Sequence, residues 1–550
     1  MTQPANKRLV RQSDLGLLGP SNGTDDTTWL NAVLTTNRTV RGLAGQTYLI
    51  SAPLVVRSGT VLDMTGCTVQ FLPGSTGNML TNYQVAANNG RDSAISITGG
   101  TWDRGSAGGT GTGNHSLMFR RIDGLTIRNL TVKSTAGKFA IAPGDVTNFV
   151  IANITFATAS DGVHVSGPAR AGVIRDIFGT TGDDSVAFTG NDYAYVADVH
   201  GDMSDIVVEN VRTSTNQNLV KVLPGVNQTA DNFSIRDVVG TANNGGVWIG
   251  DDTNDANTTG GTIGTIVVER VKFVPTNGAF AVLLRGSTIL NAVLRDIDYT
   301  PAVADKAGIF CASNSIKALK VDGYRVRGSL TAANAVQISG STIDRMTLNN
   351  FHMADASTAA NAFLLTSGTI KELEFNDAYC VFGGNSSALI ELRSTFTLTK
   401  VNISGGYYET LGRIIHTAST TPACTMSVRG AMFKTPNRLA DLSSPLDVSL
   451  SGITVDTPSN PLLYANGSTA TVTLRGEQPI TVGTVTLLGR SGTQTLRTVG
   501  LTIKADLTIL TPADGDMVSN TNATPTCGVG PAVYNTTAAK WKGLYSGLTN

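Results

Sequence analysis

The sequence has few charged residues and no excess of either sign. Only 15% of the 550 residues are Asp, Glu, Lys or Arg, and 41 basic residues balance 41 acidic ones. A chain without a net electrostatic field does not attract nucleic acid or an anionic membrane surface. We therefore expect neither nucleic acid nor a membrane among its partners.

Cysteine and long apolar runs are also scarce. The five cysteines are odd in number and lack metal-ligand spacing, which indicates reduced core residues in a protein made in a cytoplasm. No apolar run reaches the roughly 18 residues of a membrane span. Residues 1–18 lack the apolar stretch of a signal peptide. We expect no metal and no cofactor.

A nine-residue pattern recurs along most of the chain, with apolar residues at its second, fourth and seventh places. Examples are GLTIRNLTV (124–132), NFVIANITF (148–156) and DIVVENVRT (205–213). A short strand with alternating polarity follows each copy, such as GVHVSG or LVKVLPG. Strands and turns repeated at this spacing predict a solenoid, and the absence of helical segments favours a parallel β-helix of about 14 coils. A leucine-rich repeat or a β-sandwich would not produce this pattern.

Changes in composition divide the chain into four predicted regions. Residues 1–20 are an N-terminal attachment segment, and 21–92 contain a capping helix and irregular first coils. The parallel β-helix follows over 93–476, and 477–550 form a C-terminal β-rich domain for trimerisation or receptor binding. We expect Asp25 or Asp26 to cap the helix, with Trp29, Leu30 and Val33 on its buried side, and antiparallel strands over 480–510.

Both ends of the sequence resemble known families. The segment that begins NGTDDTTWL resembles the entry of pectate-lyase-superfamily β-helices, and GDMVSNTN…VYNTTAAKWKGL resembles the tip of phage tail fibres and tailspikes. This resemblance implies a bacteriophage tailspike with a right-handed β-helix that associates as a homotrimer. It also implies attachment to a phage baseplate or tail protein through the N-terminus, and binding or cleavage of a bacterial surface polysaccharide.

Two short motifs resemble those of polygalacturonase-type glycoside hydrolases. ASDGVHV (159–165) and GDDSVAF (182–188) lie one coil apart, as do the Asn-Thr-Asp-Gly and Gly-Asp-Asp motifs of that family. The resemblance places catalytic carboxylates at Asp161, Asp183 and Asp184. Asp184 is then the general acid, Asp161 and Asp183 orient and deprotonate water, and the reaction inverts the anomeric carbon. Aspartates that only cap a turn are the alternative.

Other motifs of the same family are missing. Asn216-Gln217-Asn218 stands where Gly-His-Gly is expected, and Trp248-Ile249-Gly250 stands in place of Arg-Ile-Lys. The substrate contacts of the family therefore do not transfer. His164 and Lys221, which we expect to point outward, are candidates to replace the charge of its arginine.

The next coils add further candidates for substrate binding. Trp248 points outward in the predicted strand, where it is either a platform for a sugar ring or buried beneath the insertion 251–262. Asp251 and Asp252 form a second acidic pair, either a displaced catalytic pair or a solvated loop. Arg285 could bind an acidic sugar or lie in solvent.

The sequence thus predicts a phage tailspike that hydrolyses internal bonds of a bacterial surface polysaccharide, a capsule or an O-antigen. The reaction would use carboxylate acid–base chemistry. Such a protein is part of the virion, is made in the host cytoplasm and acts at the host cell surface. Two other classes stay open: a polysaccharide lyase acting on a uronate-containing glycan, and an adhesin that binds glycan without cleaving it.

Overall fold

A computed structural model provides the structure of the chain. Up to residue 356 it describes residues 15–87, 90–107, 113–193, 198–276, 278–301, 307–328 and 334–356. Beyond that it describes 361–382, 388–409, 412–417, 424–434, 440–442, 446–456, 463–466, 471–476, 480–482, 488–491, 495–499, 502–505, 517–520, 530–535 and 540–543. Most of the predicted attachment segment and position 527 lie outside the described residues.

The chain forms two compact units, each built from stacked parallel strands. The first comprises Met1–Val267 with Gly286–Thr288, and the second comprises Val268–Arg285 with Ile289–Asn550. The fold is a right-handed parallel β-helix of about 14 turns, which confirms the predicted class. The four cysteines within the described residues, Cys67, Cys311, Cys380 and Cys424, are free and buried.

Within its described residues, the first unit contains two α-helices and one 3-10 helix. The α-helices are Thr27–Thr36 and Tyr83–Ala87, and the 3-10 helix is Ala256–Thr258. Its strands are Leu15–Leu17, Thr39–Arg41, Thr47–Ile50, Leu54–Val56, Val61–Asp63, Thr68–Phe71, Leu80–Asn82, Asp92–Thr98, Thr101–Asp103, Leu117–Lys133, Ile141–Thr158, Val163–Thr181, Val186–Thr189, Met203–Thr215, Asn218–Leu223, Thr229–Ala242 and Gly245–Gly250.

Strands Thr262–Pro275 and Thr288–Tyr299 begin in the first unit and end in the second. The other strands of the second unit are Phe280–Arg285, Ile309–Ala312, Ser315–Asp322, Arg325–Arg327, Val336–Asn349, His352–Ala356, Phe363–Asn376, Tyr379–Phe382, Ala388–Ser404, Tyr407–Glu409, Arg413–Thr417, Cys424–Arg429, Met432–Lys434, Ala440–Leu442, Leu446–Ser451, Thr454–Asp456, Leu463–Asn466, Thr471–Gly476, Ile480–Val482, Leu488–Ser491, Thr495–Val499, Thr502–Ala505, Met517–Asn520, Gly530–Asn535 and Lys540–Gly543.

The nine-residue pattern produces a corner at its sixth place. Asn129, Asn153 and Asp176 occupy this place in successive coils, with φ of 60°, 55° and 57°. Asn and Asp tolerate this left-handed backbone better than other residues that carry a Cβ atom. Asn153 Nδ2 also donates to Asn129 Oδ1 at 3.0 Å, so the corners form a hydrogen-bonded ladder. The apolar places stack inward, as Leu125 on Phe149 illustrates.

The predicted N-terminal helix is present at Thr27–Thr36, and Asp26 is its N-cap residue. The side chain of Asp26 makes no capping bond, whereas Asp25 Oδ1 accepts from Thr27 N at 3.0 Å. Leu30 is buried as predicted, together with Leu34, and Val33 is half-buried, whereas Trp29 is 37% exposed, so the predicted burial of Trp29 is wrong. No helix within the described ranges is both long and apolar enough to cross a membrane.

Parallel stacking continues past the predicted boundary at 476. Thr471–Gly476 pairs in parallel with Thr495–Val499, and Ile480–Val482 pairs in parallel with Thr502–Ala505, so the antiparallel pairing expected over 480–510 is wrong for the described strands of that range. Antiparallel pairing begins only where Met517–Asn520 meets Gly530–Asn535. The division into four regions stays a prediction.

Candidate active site

Parallel stacking in the first unit places three polar residues at equivalent positions in successive coils. Asp161, Asp184 and Asn218 each lie two residues before a valine, and these valines, Val163, Val186 and Val220, pair in register. The backbone continues the ladder, because Gly162 N donates to Asp184 O and Ser185 N donates to Asn218 O. Residues far apart in sequence therefore share one turn column.

The three aspartates of the two predicted motifs form one cluster. Carboxylate oxygens of Asp161, Asp183 and Asp184, one from each, all lie within 4.8 Å of one another. Asp161 and Asp184 are each 3% exposed, whereas Asp183 is half-buried and reaches the surface. The predicted proximity of the three carboxylates is therefore present, with Asp183 as the most accessible of them.

The pKa values within this cluster reflect burial and mutual repulsion. Burial, together with the charges of Asp161 and Asp184, raises the pKa of Asp183 to about 7. Burial also raises the pKa of Asp184, against the opposing effects of Lys221 and of hydrogen bonds from Asn218. Aspartates that only cap a turn have lowered pKa values, because they accept N–H bonds. Asp183 thus has a property that a general acid requires near neutral pH.

Lys221 supplies the cation beside the cluster. Its Nζ lies 3.4 Å from Asp184 Oδ2 and 3.7 Å from Asp252 Oδ2, and it donates to Tyr193 Oη at 2.9 Å. The side chain is 9% exposed, and its Nζ lies over the ring of Trp248, 5.1 Å from the centroid. Burial opposes its charge, but Asp184, Tyr193 and Asp252 outweigh that effect and raise the pKa of Lys221 well above its usual value.

His164 lies at the other side of the cluster and is 2% exposed. Its Nδ1 is 2.6 Å from Asp161 Oδ2, and its Nε2 is 2.8 Å from Asp192 Oδ2 and 3.0 Å from Thr189 Oγ1. Burial disfavours the charged ring, but Asp192 and Asp161 together outweigh burial and raise the pKa of His164 to about 9. His164 was expected to point outward and is instead covered.

Trp248 is also covered, with 5% of its surface exposed. Burial was one of its two expected environments, and in this structure the ring does not present a face for a sugar. Arg285 is half-buried at the end of Phe280–Arg285 and belongs to the second unit.

The two residues of the second acidic pair, Asp251 and Asp252, have different surroundings. Asp251 accepts from Gly260 N at 2.9 Å and from Ser287 Oγ at 2.8 Å, so it braces the loop that follows. Asp252 accepts from Tyr193 Oη at 2.6 Å and lies beside Lys221. Both are buried, so neither is the solvated loop residue that was one of the alternatives.

Sequence reasoning missed Asp192 and Tyr193. Asp192 is fully buried against His164, and Tyr193 connects Lys221 to Asp252. Both follow strand Val186–Thr189 in an insertion outside the repeat, so no periodic signal marks them. Asn218 had been noted only as a departure from a family motif, yet its backbone N and Nδ2 both donate to Asp184 Oδ1, at 3.0 and 2.7 Å.

We expect the stability of the protein to fall as pH rises, in two separable windows. A folded-state pKa above the unfolded value contributes stability that is lost as pH rises through the folded pKa. For Asp183 the window runs from about 4 to about 7, and for His164 from about 6.5 to about 9. The His164 window should amount to about 3 kcal/mol.

Denaturant unfolding at a series of pH values checks this expectation. The substitution His164→Gln should flatten the dependence above pH 6.5 and leave the lower window in place, whereas Asp183→Asn should flatten only the lower one. Parallel slopes for the wild type and both variants would contradict the assignment.

Comparison with known proteins adds information on fold only. No protein-family model and no curated protein matches the chain. Among solved structures it is similar to tailspike protein 3 of bacteriophage CBA120, with 12% identity, TM-score 0.36, and coverage of 98% of this chain and 70% of that one. It is also similar to an N-terminal fragment of gene product 12 of bacteriophage phi29, with 11% identity, TM-score 0.37, and coverage of 88% and 91%.

A third similar structure is a double mutant of the tailspike of E. coli bacteriophage HK620 in complex with a pentasaccharide, with 10% identity, TM-score 0.24, and coverage of 88% and 78%. The expected likeness to tailspike β-helices is thus found among solved structures. It extends to the fold and not to the chemistry of the site.

Proposed function

We propose that this protein binds a bacterial surface polysaccharide, capsule or O-antigen, and hydrolyses glycosidic bonds within it. The observation that carries the proposal is the cluster of Asp161, Asp183 and Asp184, of which only Asp183 reaches the surface. Glycoside hydrolysis needs one carboxylic acid for the leaving oxygen and one carboxylate for water or for the sugar. A cluster in which one carboxyl keeps its proton near neutral pH supplies both.

Asp183 is the proposed general acid. The family resemblance had assigned that role to Asp184, but Asp184 is buried, accepts two N–H bonds from Asn218 and pairs with Lys221. These contacts favour the anionic form of Asp184 relative to Asp183. Asp161 and Asp184 then orient and deprotonate the attacking water.

The spacing of the cluster bears on the stereochemistry. The nearest carboxylate oxygens lie within 4.8 Å, whereas inverting pairs are typically about 6.5–9.5 Å apart and retaining pairs about 5–5.5 Å. The geometry therefore does not favour the inversion that the resemblance implies, and the proposal leaves the configuration of the product to measurement.

A lyase is the less favoured alternative. It needs a base that removes a proton beside a uronate carboxylate, and Lys221 was a candidate for that base. The raised pKa of Lys221 keeps it protonated at neutral pH, and its neighbours Asp184 and Asp252 are themselves acidic.

The decisive experiment incubates the purified full chain with a panel of capsular and O-antigen polysaccharides. Hydrolysis should release reducing ends without the ultraviolet absorbance of an unsaturated sugar, and mass analysis should show fragments that carry one added water per cut. Unsaturated products would indicate a lyase. Binding without fragments would indicate an adhesin and would refute the proposed hydrolysis.

We also propose that the protein is a homotrimer in the phage virion. It would be made in the host cytoplasm, attach to a baseplate or tail protein through its N-terminus, and act at the host cell surface. Exposed apolar side chains on the second unit, such as Tyr379 at 40% and Met432 at 41%, are a surface that assembly would bury.

Light scattering, which measures the mass of the assembled protein, checks the oligomeric state. We expect a mass three times 57.3 kDa for the full chain, and weaker assembly when the chain is cut after Gly476. A full-length protein that stays monomeric at micromolar concentration would contradict the trimer.

A further inference from the structure

We propose that His164 is a positioning residue: a buried imidazolium that joins Asp161 to Asp192 and holds the Asp161 carboxylate in place, without touching the glycan. This inference rests on the proposed function. It replaces the expectation from sequence that His164 binds substrate.

Both ring nitrogens of His164 face acceptors. Nδ1 lies 2.6 Å from Asp161 Oδ2, and Nε2 lies 2.8 Å from Asp192 Oδ2. A neutral imidazole has one N–H group, so in that form one of the two carboxylates would face a lone pair, whereas the imidazolium donates to both. With 2% of its surface exposed, the ring has no N–H group left for a sugar hydroxyl.

Aromatic packing fixes the plane of the ring. Phe139 stacks on His164 with centroids 3.7 Å apart and planes at 5°, and His115 stacks on the other side of Phe139 at 5.0 Å. An aromatic face stabilises a cation above it. His115 Nδ1 accepts from Phe139 N at 3.2 Å, and burial, with the nearby charges of Arg120 and His164, lowers the pKa of His115 to about 3. His164 is therefore the charged ring of the two.

The charge of His164 acts on the cluster through Asp161. After burial, the negative charge of Asp161 is the largest cause of the raised pKa of Asp183. By holding the Asp161 carboxylate in place, His164 fixes the position of the negative charge that helps to raise the pKa of Asp183, the carboxyl that reaches the surface. Asp192 is followed directly by Tyr193, which holds Lys221 and Asp252, so His164 also anchors the segment that contacts the opposite side of the cluster.

Steady-state kinetics of His164→Gln on a cleaved polysaccharide separate positioning from binding. We expect kcat to fall roughly 10- to 100-fold, the scale seen for outer partners that orient reactive groups, with KM within about twofold of wild type. The alkaline limb of the kcat profile should move to higher pH, because loss of the cation leaves the carboxylate cluster with less opposing charge, so that Asp183 holds its proton more tightly. His200→Gln, which changes an exposed histidine, is the matched control and should leave both constants unchanged.

A raised KM with unchanged kcat would restore the substrate-binding role and overturn the proposal, as would wild-type kinetics. Asp192→Asn leaves the bond between His164 and Asp161 in place and replaces the carboxylate beside Nε2 with a neutral amide, so it is the second variant if His164→Gln does not fold. Asp192→Asn should also lower kcat, but by a smaller factor than His164→Gln. An unchanged kcat in Asp192→Asn would count against the link to Asp192.

Selective isotope labelling of the five histidines provides a measurement that does not depend on activity. One NMR signal, absent in His164→Gln, should titrate near pH 9 and move to lower pH in Asp192→Asn. Titration of that signal near 6.5, the ordinary value, would overturn the imidazolium. If the wild type cleaves no polysaccharide, the proposed function fails, whereas this titration still decides the charge of His164.

Discussion

Replacement of Asp183 by asparagine is expected to lower the rate of polysaccharide cleavage at least roughly 10²-fold, the usual scale for a lost general acid. Asparagine has nearly the same shape but cannot supply the proton that the raised pKa of Asp183 retains near pH 7. Folding, assembly and glycan binding should persist, because Asp183 is the half-buried member of the cluster. Release of reducing ends from the cognate polysaccharide measures the loss.

The other two carboxylates provide the internal comparison. Asp161→Asn and Asp184→Asn should cause losses of similar size, and double variants should not multiply them, because the three groups act as a unit. Asp176→Asn, which alters a corner residue hydrogen-bonded to Asn210, is the matched control and should cleave normally. Wild-type rates in all three single variants would place the site elsewhere, with Asp252 beside Lys221 as the next candidate.

Replacement of Lys221 by methionine should be the most destabilising of these changes. It leaves Asp184 and Asp252 buried without their shared cation, and breaking a buried ion pair from one side typically costs about 3–5 kcal/mol. Asp184 can escape part of that cost by taking up a proton. The loss in the free energy of unfolding should therefore be larger at pH 8 than at pH 5.

Two further variants serve as controls for this measurement. The double variant Lys221→Met with Asp184→Asn removes both charges of the closest pair and should recover much of the lost stability. Lys400→Met breaks an exposed pair with Glu372, in which the lysine side chain is 49% exposed, and should cost less than about 1 kcal/mol. Equal losses for Lys221→Met and Lys400→Met would show that burial does not strengthen the pair.

The sequence by itself determined the β-helix and the meeting of the motif aspartates. Apolar places two, four and seven point inward because strands alternate, and Asn or Asp at place six accepts the left-handed corner, as Asn153 does. Once the coils stack in parallel, residues one repeat apart must lie one strand spacing apart. Asp161 and Asp184 therefore become neighbours through local rules that a sequence displays.

Only the tertiary structure decided what covers that column. Alternation indicates that His164 and Trp248 leave the core, but it does not indicate whether an insertion lies above them, and both are buried. Asp192 and Tyr193 belong to an insertion outside the repeat, so their contacts with His164 and Lys221 follow from the path of that segment. The same burial raised the pKa values of Asp183 and Asp184, because desolvation and neighbouring charges shift a pKa only once the chain has folded.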